Sequence, residues 1–401
     1  VTEEVTEQMT TDAFIPDDVQ LLKPVPAFSD QEYDRRINAL EVELDKANLD
    51  AFLAFTSSWF RVPGAVTYFC GYETLFGSAF FLYVPSLSGR HLIIDNFWDV
   101  IGRPEEKERE REEFHQVKDF GETIAKILPS DVRRLGIVNE RLMPARTYHN
   151  LHQALSHVEI VDARQSLDAV REVKSEEELT MLRYTAAISD VAAKTFLNTC
   201  RPGVSERDVA AEVLYRARKA GADSFWTPIC VAAGPRLVGM YPIPTRRIMQ
   251  PGEIFFMDCG VKACGFHGDI SRAGVLPGGE SAQQKRLVQA VLEIQDRLIQ
   301  TIRPGMQAGE VDRLGLNIAT ELGFGDAFRR GLGHGIGSDG HEYPEIPPRV
   351  DAEVVLKEGM VITLEPWLGQ EGIGGAQVED MILITPEGGE RLTRSPRVKG
   401  L

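Results

Sequence analysis

Three separate stretches of this chain run as apolar, strand-like segments directly into a carboxylate, and that pattern restricts the fold more than any other feature. Ile254-Phe255-Phe256-Met257 leads into Asp258, Val361-Ile362-Thr363-Leu364 into Glu365, and Gly374-Gly375-Ala376-Gln377-Val378 into Glu379. A carboxylate carried to the core end of a strand is costly unless something compensates its charge. A chain that does this three times is hard to explain without a bound ligand.

A fourth acid joins them. Asp269 follows Asp258 by eleven residues, and Gly260, Gly265 and Gly268 suit a hairpin connection between the two. Adjacent antiparallel strands would set both carboxylates side by side. Two such groups repel and raise one another's pKa, a conflict that a cation between them resolves. His334 stands in the glycine-rich run Gly331–Gly337, followed by His341-Glu342-Tyr343-Pro344. Alone, His334 reads equally well as a structural or surface histidine. Beside four acids it completes a hard, oxygen-rich donor set. Such a set suits Mn²⁺, Fe²⁺, Co²⁺ or Zn²⁺ at a catalytic site and not thiolate zinc. Four acids carry charge enough for two divalent ions. His267 precedes Asp269 by two residues and would share its strand face, which makes it a pocket candidate against an ordinary strand histidine.

A length of 401 residues fits two domains. Residues 1–20 read as a flexible acidic arm, and the absence of an apolar stretch there argues against a signal peptide. Residues 21–172 alternate helices and strands. A capping box at Ser29–Glu32 opens a helix with Ile37, Leu40 and Leu44 at helical spacing. Strands are expected at Ala51–Phe55, Ala79–Val84, His91–Asp95, Leu135–Val138 and Val158–Asp162, with a helix near Tyr148–Ser156. This is an α/β layer on a mostly parallel or mixed sheet. A second capping box, Ser175–Glu178, starts a long helix and marks the boundary. Residues 173–401 then mix helices (Ser205–Ala220, 282–302, 309–322) with strands and Gly/Pro turns, an α+β pattern with an antiparallel sheet. The charge run Arg103–Glu113 reads as a solvated segment, and Trp226 and Trp367, near predicted strand ends, read as core in preference to pocket lining.

The net charge of −16 lacks the basic footprint of a nucleic-acid binder. No run approaches the ~20 apolar residues of a membrane span. The five cysteines are scattered without a CxxC pair, as in reduced cytoplasmic proteins, and Cys259 and Cys264 read as small buried hydrophobes.

The order D-x10-D, GHGIG, HE-x-P, TLEP and VED resembles the superfamily of methionine aminopeptidase, prolidase, aminopeptidase P and creatinase, from about Ser175 onward. Val66–Tyr72 is similar to the Tyr-x-x-Gly-Tyr/Phe segment in the smaller N-terminal domain of the prolidase/creatinase branch. The resemblance implies a pita-bread catalytic domain, a curved and mainly antiparallel sheet covered by helices. It also implies a dinuclear hydrolase of amide or peptide C–N bonds. Asp258 would bind the first ion, Asp269 and Glu379 both, and His334 and Glu365 the second, with Mn²⁺ first among the ions. Glu365 would double as proton shuttle, and His341 would hold the substrate oxygen. A small-molecule or short-peptide substrate and a homodimer are implied, the N-terminal domain contributing to the neighbouring active site with Arg61 as a substrate anchor.

Two positions depart from that pattern. Tyr241, in Met240–Thr245, stands where the family's peptidases carry a histidine that contacts the substrate amide. Gln377 stands where prolidase-like members carry an arginine. Both changes spare the ion ligands and bear on substrate. They keep open a non-peptidase alternative, a creatinase- or ectoine-hydrolase-like enzyme for a small nitrogenous compound, or a metal-dependent lyase. An inert binding module sits poorly with a complete ligand set.

Overall fold

The computed structural model describes residues 21–58, 64–96, 111–346 and 354–401. The expected arm at 1–20, Arg61 and most of the 103–113 charge run lie outside the described residues.

The N-terminal domain is a six-stranded sheet between helices. Helix α1 (Asp30–Ala47) starts at Ser29, whose hydroxyl accepts the Glu32 amide at 3.2 Å. The reciprocal half of the expected capping box is not made. Glu32 is drawn instead to the guanidinium groups of Arg35 and Arg36, which are stronger donors than an amide, and the Ser29 amide donates to Glu177.

Strands β1 (Ala51–Ser57), β2 (Ser78–Val84), β3 (Gly89–Ile94), β4 (Glu113–Gln116), β5 (Arg134–Val138) and β6 (Glu159–Asp162) run in the order β4-β3-β2-β1-β5-β6. The central hairpins β1–β2 and β2–β3 are antiparallel, and the outer pairs are parallel. The sheet is therefore mixed. Helix α1 and a later helix over Arg164–Arg171 cover one face, while Phe120, Ile124 and Leu151 from two short helices cover the other. Both faces of β1 and β2 are buried as a result, which is why those strands are continuously apolar.

The second half begins with a long helix over Glu176–Thr199, closed at its start by a complete Ser175–Glu178 capping box. This helix and the one over Glu206–Ala220 pack on one group of strands; the helices Ala282–Thr301 and Ala308–Glu321 pack on another. Strands β7 (Cys230–Ala233), β8 (Ile254–Asp258) and β11 (Ser271–Val275) form a sheet ordered β11-β8-β7, with β9 (Val261–Ala263) and β10 (Phe266–Gly268) as a small hairpin between β8 and β11. The other main sheet is β13-β12-β14-β17-β18, built from β12 (Gly333–Gly335), β13 (Glu342–Ile346), β14 (Val361–Leu364), β17 (Asp380–Thr385) and β18 (Gly388–Arg391). A hairpin of β15 (Trp367–Gln370) and β16 (Gly374–Gln377) connects β14 to β17. A backbone bridge between Ser271 and Glu379 joins the two main sheets, and the site lies at that seam.

Buried ion pairs fasten the halves together. Arg36, fully buried between the rings of Phe28 and Tyr68, approaches Glu178 at 3.4 Å. Arg171 pairs with Asp339, and Lys174 with Glu342 at 2.6 Å. Asp339 and Glu342 flank His341, so the loop bearing that histidine is tied to the end of the N-terminal domain.

Candidate metal centre

β8 delivers Asp258 opposite Ser271, the first residue of β11. The two strands are antiparallel neighbours, yet the chain does not turn directly between them. It first makes the β9–β10 hairpin, turning at Cys264 and Gly265 with φ of 52° and 77°. Asp269 consequently occupies the short link before β11 and not a strand, with its carboxylate accepting the Ile270 amide at 3.1 Å. His267, on β10, is directed elsewhere. Its Nδ1 is 3.1 Å from the Gly337 carbonyl and its ring stands edge-on to Trp226. Burial, then nearby Lys262, pulls its pKa down to about 4. Its hydrogen bond goes to the loop after His334, and none of the four acids is its partner.

Glu365 follows β14 and Glu379 lies between β16 and β17. Small polar side chains hold both. The Ser271 hydroxyl is 2.7 Å from Glu379 Oε2 and 3.0 Å from Gln377 Oε1, and its single proton serves one of them. The fully buried Gln377 donates from Nε2 to Glu365 Oε2 at 2.8 Å. Thr363 Oγ1 donates to Glu365 Oε1 at 3.3 Å and accepts the His334 amide. Tyr241, 45% exposed on a loop at φ 59°, donates its hydroxyl to Glu365 Oε2 at 3.3 Å. Burial, and then the Glu365 charge, raises the Tyr241 pKa far above its usual value.

His334 needs the glycine before it. Gly333 has φ 147°, and a Cβ there would meet the Thr363 carbonyl at 2.2 Å. The ring places Nδ1 3.0 Å from the Gly335 carbonyl, so Nδ1 carries the proton and donates it. Burial, then His341, lowers the His334 pKa to about 3, which leaves the ring neutral. Its Nε2 lone pair thus points at Glu365 Oε1 (3.5 Å) and Asp269 Oδ2 (3.9 Å). A lone pair aimed at two carboxylates is repulsive unless a proton or a metal cation lies between them.

The acids show the same conflict. Burial pushes Asp258 up to about 7 and Glu365 to about 8, with the Asp258 charge adding to the latter. Burial and neighbouring carboxylates hold Asp269 and Glu379 well above the usual range. Among the described residues, no lysine or arginine is ion-paired to any of the four. Arg272 is close but committed to Asp380 at 2.8 Å and to the Glu379 carbonyl. Asp258 Oδ1 is buried with no hydrogen-bond partner. Asp269, His334 and Glu379 each offer a donor atom within 4.8 Å of the others. The donor set therefore fits hard divalent ions, which when bound would neutralise the acids and lower the pKa of a coordinated water.

His341 stacks on His334 with ring centroids 3.5 Å apart and planes at 16°. Trp226, expected in the core, is half-buried instead, 5.4 Å from the His341 ring and 6.4 Å from His334. Gly260 and Gly340 give the indole its room, since a Cβ on either would lie within 2.4 Å of it. Trp367 is core, packed edge-on to Phe256. Beyond Trp226 and His341 opens a cavity of about 610 Å³, lined also by Ser57, Thr67, Glu73 and Lys262. Two side chains at the centre went unrecognised in the sequence, Ser271 and Thr363, and Trp226 was read as core in preference to pocket lining. Thr363 alone carried a signal, as it lies two residues before Glu365 and so on the same strand face.

A family model described as metallopeptidase family M24 matches residues 180–386, and the creatinase/prolidase N-terminal domain model matches residues 36–173. The chain belongs to metallopeptidase family M24. As a member of the M24 family it is a metal-dependent hydrolase of peptide-type C–N bonds, with an N-terminal domain preceding the catalytic one. It is 30% identical over 355 residues to a Xaa-Pro dipeptidase of Pyrococcus horikoshii, covering 88% of this chain and 95% of that protein. It is 34% identical over 266 residues to the uncharacterized peptidase YqhT of Bacillus subtilis, covering 66% and 74%. Among solved M24 structures, the prolidase from Pyrococcus horikoshii OT3 superposes with a TM-score of 0.79 at 28% identity, over 91% of this chain and 99% of that one. The Xaa-Pro dipeptidase from Bacillus anthracis does so with 0.79 at 28%, over 92% and 100%.

Proposed function

We propose that this chain is a dinuclear dipeptidase for short peptides of the Xaa-Pro type. Asp258, Asp269, His334, Glu365 and Glu379 hold the two ions, Mn²⁺ first, with Co²⁺, Fe²⁺ and Zn²⁺ as other fits. The observation that carries the reading is the neutral His334 turning its Nε2 lone pair toward Asp269 and Glu365, in a set of four carboxylates with no lysine or arginine ion-paired to them among the described residues. Glu365 is the proton shuttle of this reading, with its Oε2 held by the Gln377 amide and the Tyr241 hydroxyl. His341, kept neutral by burial, offers a ring N–H to the carbonyl oxygen of the scissile bond as charge builds there. Gln377 acts as a positioning residue for Glu365. The Xaa-Pro specificity draws on the names of the relatives above.

A second reading, hydrolysis of a small nitrogenous compound, is favoured by the Tyr241 hydroxyl at Glu365 and the uncharged Gln377, which put neutral groups around the proton shuttle. One set of assays separates the two. Protein purified without chelator should carry roughly one to two transition ions per chain at this centre, and none would refute the metal reading. With Mn²⁺ added, turnover of Xaa-Pro dipeptides supports the first reading, and turnover only of amidines or cyclic amidines supports the second. Tyr241→His should raise dipeptide turnover if Tyr241 occupies the amide-contacting position. A reducing cytoplasm suits the five free thiols. A homodimer in which Arg61 reaches the neighbouring site belongs to the same proposal, and light scattering tests it.

A further inference from the structure

The N-terminal domain holds a second group of ligating side chains, far in sequence from the first. His91 lies on β3, and Glu113 and His115 lie on the edge strand β4. The parallel register pairs His91 with Glu113 and Ile93 with His115. Glu113 and His115 are two residues apart, so both fall on the face that bears His91. Three side chains are thereby gathered by ladder geometry alone.

Their distances are those of a coordination shell. His91 Nδ1 is 3.2 Å from His115 Nε2 and 3.4 Å from Glu113 Oε2, and His115 Nε2 is 3.6 Å from Glu113 Oε1. A tetrahedral ion with bonds of about 2.0–2.1 Å separates its donors by about 3.3–3.4 Å. From these observations we infer that His91, Glu113 and His115 form a separate site for one divalent transition ion, Zn²⁺ by its two-imidazole, one-carboxylate donor set.

The surroundings agree. His91 is buried, and among the described residues its Nε2 has no hydrogen-bond partner, so the ring's polar contacts lie within this trio. Gly89 makes space for it, because a Cβ there would come within 2.8 Å of Nε2. Glu113 is largely exposed, which leaves a fourth position open to water or to a donor from another molecule. An ion here would tie the edge strand β4 to its one neighbour, β3.

The test uses the full chain carrying Asp269→Asn and Glu379→Gln, which weakens the catalytic centre, titrated with Zn²⁺ and with Co²⁺ as an absorbing stand-in. We expect one ion per chain, a tetrahedral Co²⁺ visible spectrum and a Zn²⁺-dependent rise in Tm. Adding His115→Ala or Glu113→Gln, both at the solvent-facing edge, should abolish all three. Binding that is absent in the background chain, or unchanged by both additions, overturns the inference and leaves a metal-free His–His–Glu hydrogen-bond set. Should the background chain not fold, the count is made on the otherwise unmodified chain with and without His115→Ala. A loss of one ion supports the site, and an equal count overturns it.

Discussion

Two buried groups of charges lie within this molecule and meet opposite fates. Where the domains join, Glu342 and Asp339 are buried with Arg171 and Lys174, and the two cations hold the Glu342 carboxyl down to about 2 despite its burial. At the sheet seam, Asp258, Asp269, Glu365 and Glu379 are just as deeply set, yet their pKa values are pushed up. Burial is common to both. What differs is the partner: the first group is balanced by the protein's own side chains, and the second has only a neutral imidazole. The first is closed and structural. The second has no lysine or arginine partner among the described residues, which marks it as the candidate functional site.

Exchanging the two conditions should break the contrast. Glu379→Gln removes a bridging ligand in the proposed site, and kcat/KM should fall on the order of 10³-fold or more, since partners one shell further out are already worth ~10–100-fold. The same change should raise the Tm of the metal-free protein at pH 8 by relieving repulsion; a lower Tm would show that the acids are balanced in some other way. At the junction, Lys174→Ala strands Glu342 and should cost about 3–5 kcal/mol in chemical denaturation, with metal content retained. Equal stability would mean that Arg171 alone suffices.

The pH dependence sharpens the same contrast. In the metal-free fold the raised acids of the seam keep their protons to higher pH than in the unfolded chain, so their contribution to stability is full below about pH 4 and is lost as pH rises through about 7 to 8. Ions must displace those protons. Metal affinity measured by calorimetry should therefore rise steeply between pH 6 and 8, whereas Glu342 contributes stability that is lost only as pH falls toward about 2. The smallest effect belongs to Tyr241→Phe. Its hydrogen bond to Glu365 is long, and a loss of about tenfold at most in kcat/KM is expected from a bond worth ~0.5–1.5 kcal/mol.

The two regions were also unequally legible in the sequence. The acids of the seam announce themselves because apolar strands rarely end in carboxylates, and the runs 254–257 and 361–364 point directly to Asp258 and Glu365. The inserted β9–β10 hairpin was not legible. Gly260, Gly265 and Gly268 mark turns without saying how many, so Asp269 was placed on a strand when it sits in a link. Ser29–Glu32 reads as a reciprocal cap until Arg35 and Arg36, whose pull is tertiary as well as local, compete for Glu32. The junction was invisible, because Arg171 and Asp339 are 168 residues apart and each alone looks like a surface charge. Trp226 failed for a similar reason: the space it fills is made by Gly260 and Gly340, on either side of it in space and far from each other in sequence.

Trp226 gives the chain an optical reporter of its own chemistry. Its indole stands edge-on to both His334 and His341 and is half-buried, so its emission depends on what those rings do and on what lies beyond them. In the proposed reading, loading the centre with Co²⁺, which absorbs visible light, or with paramagnetic Mn²⁺ would put a quencher close to the His334 ring. The filling of the centre can then be followed in real time without a label and without a substrate.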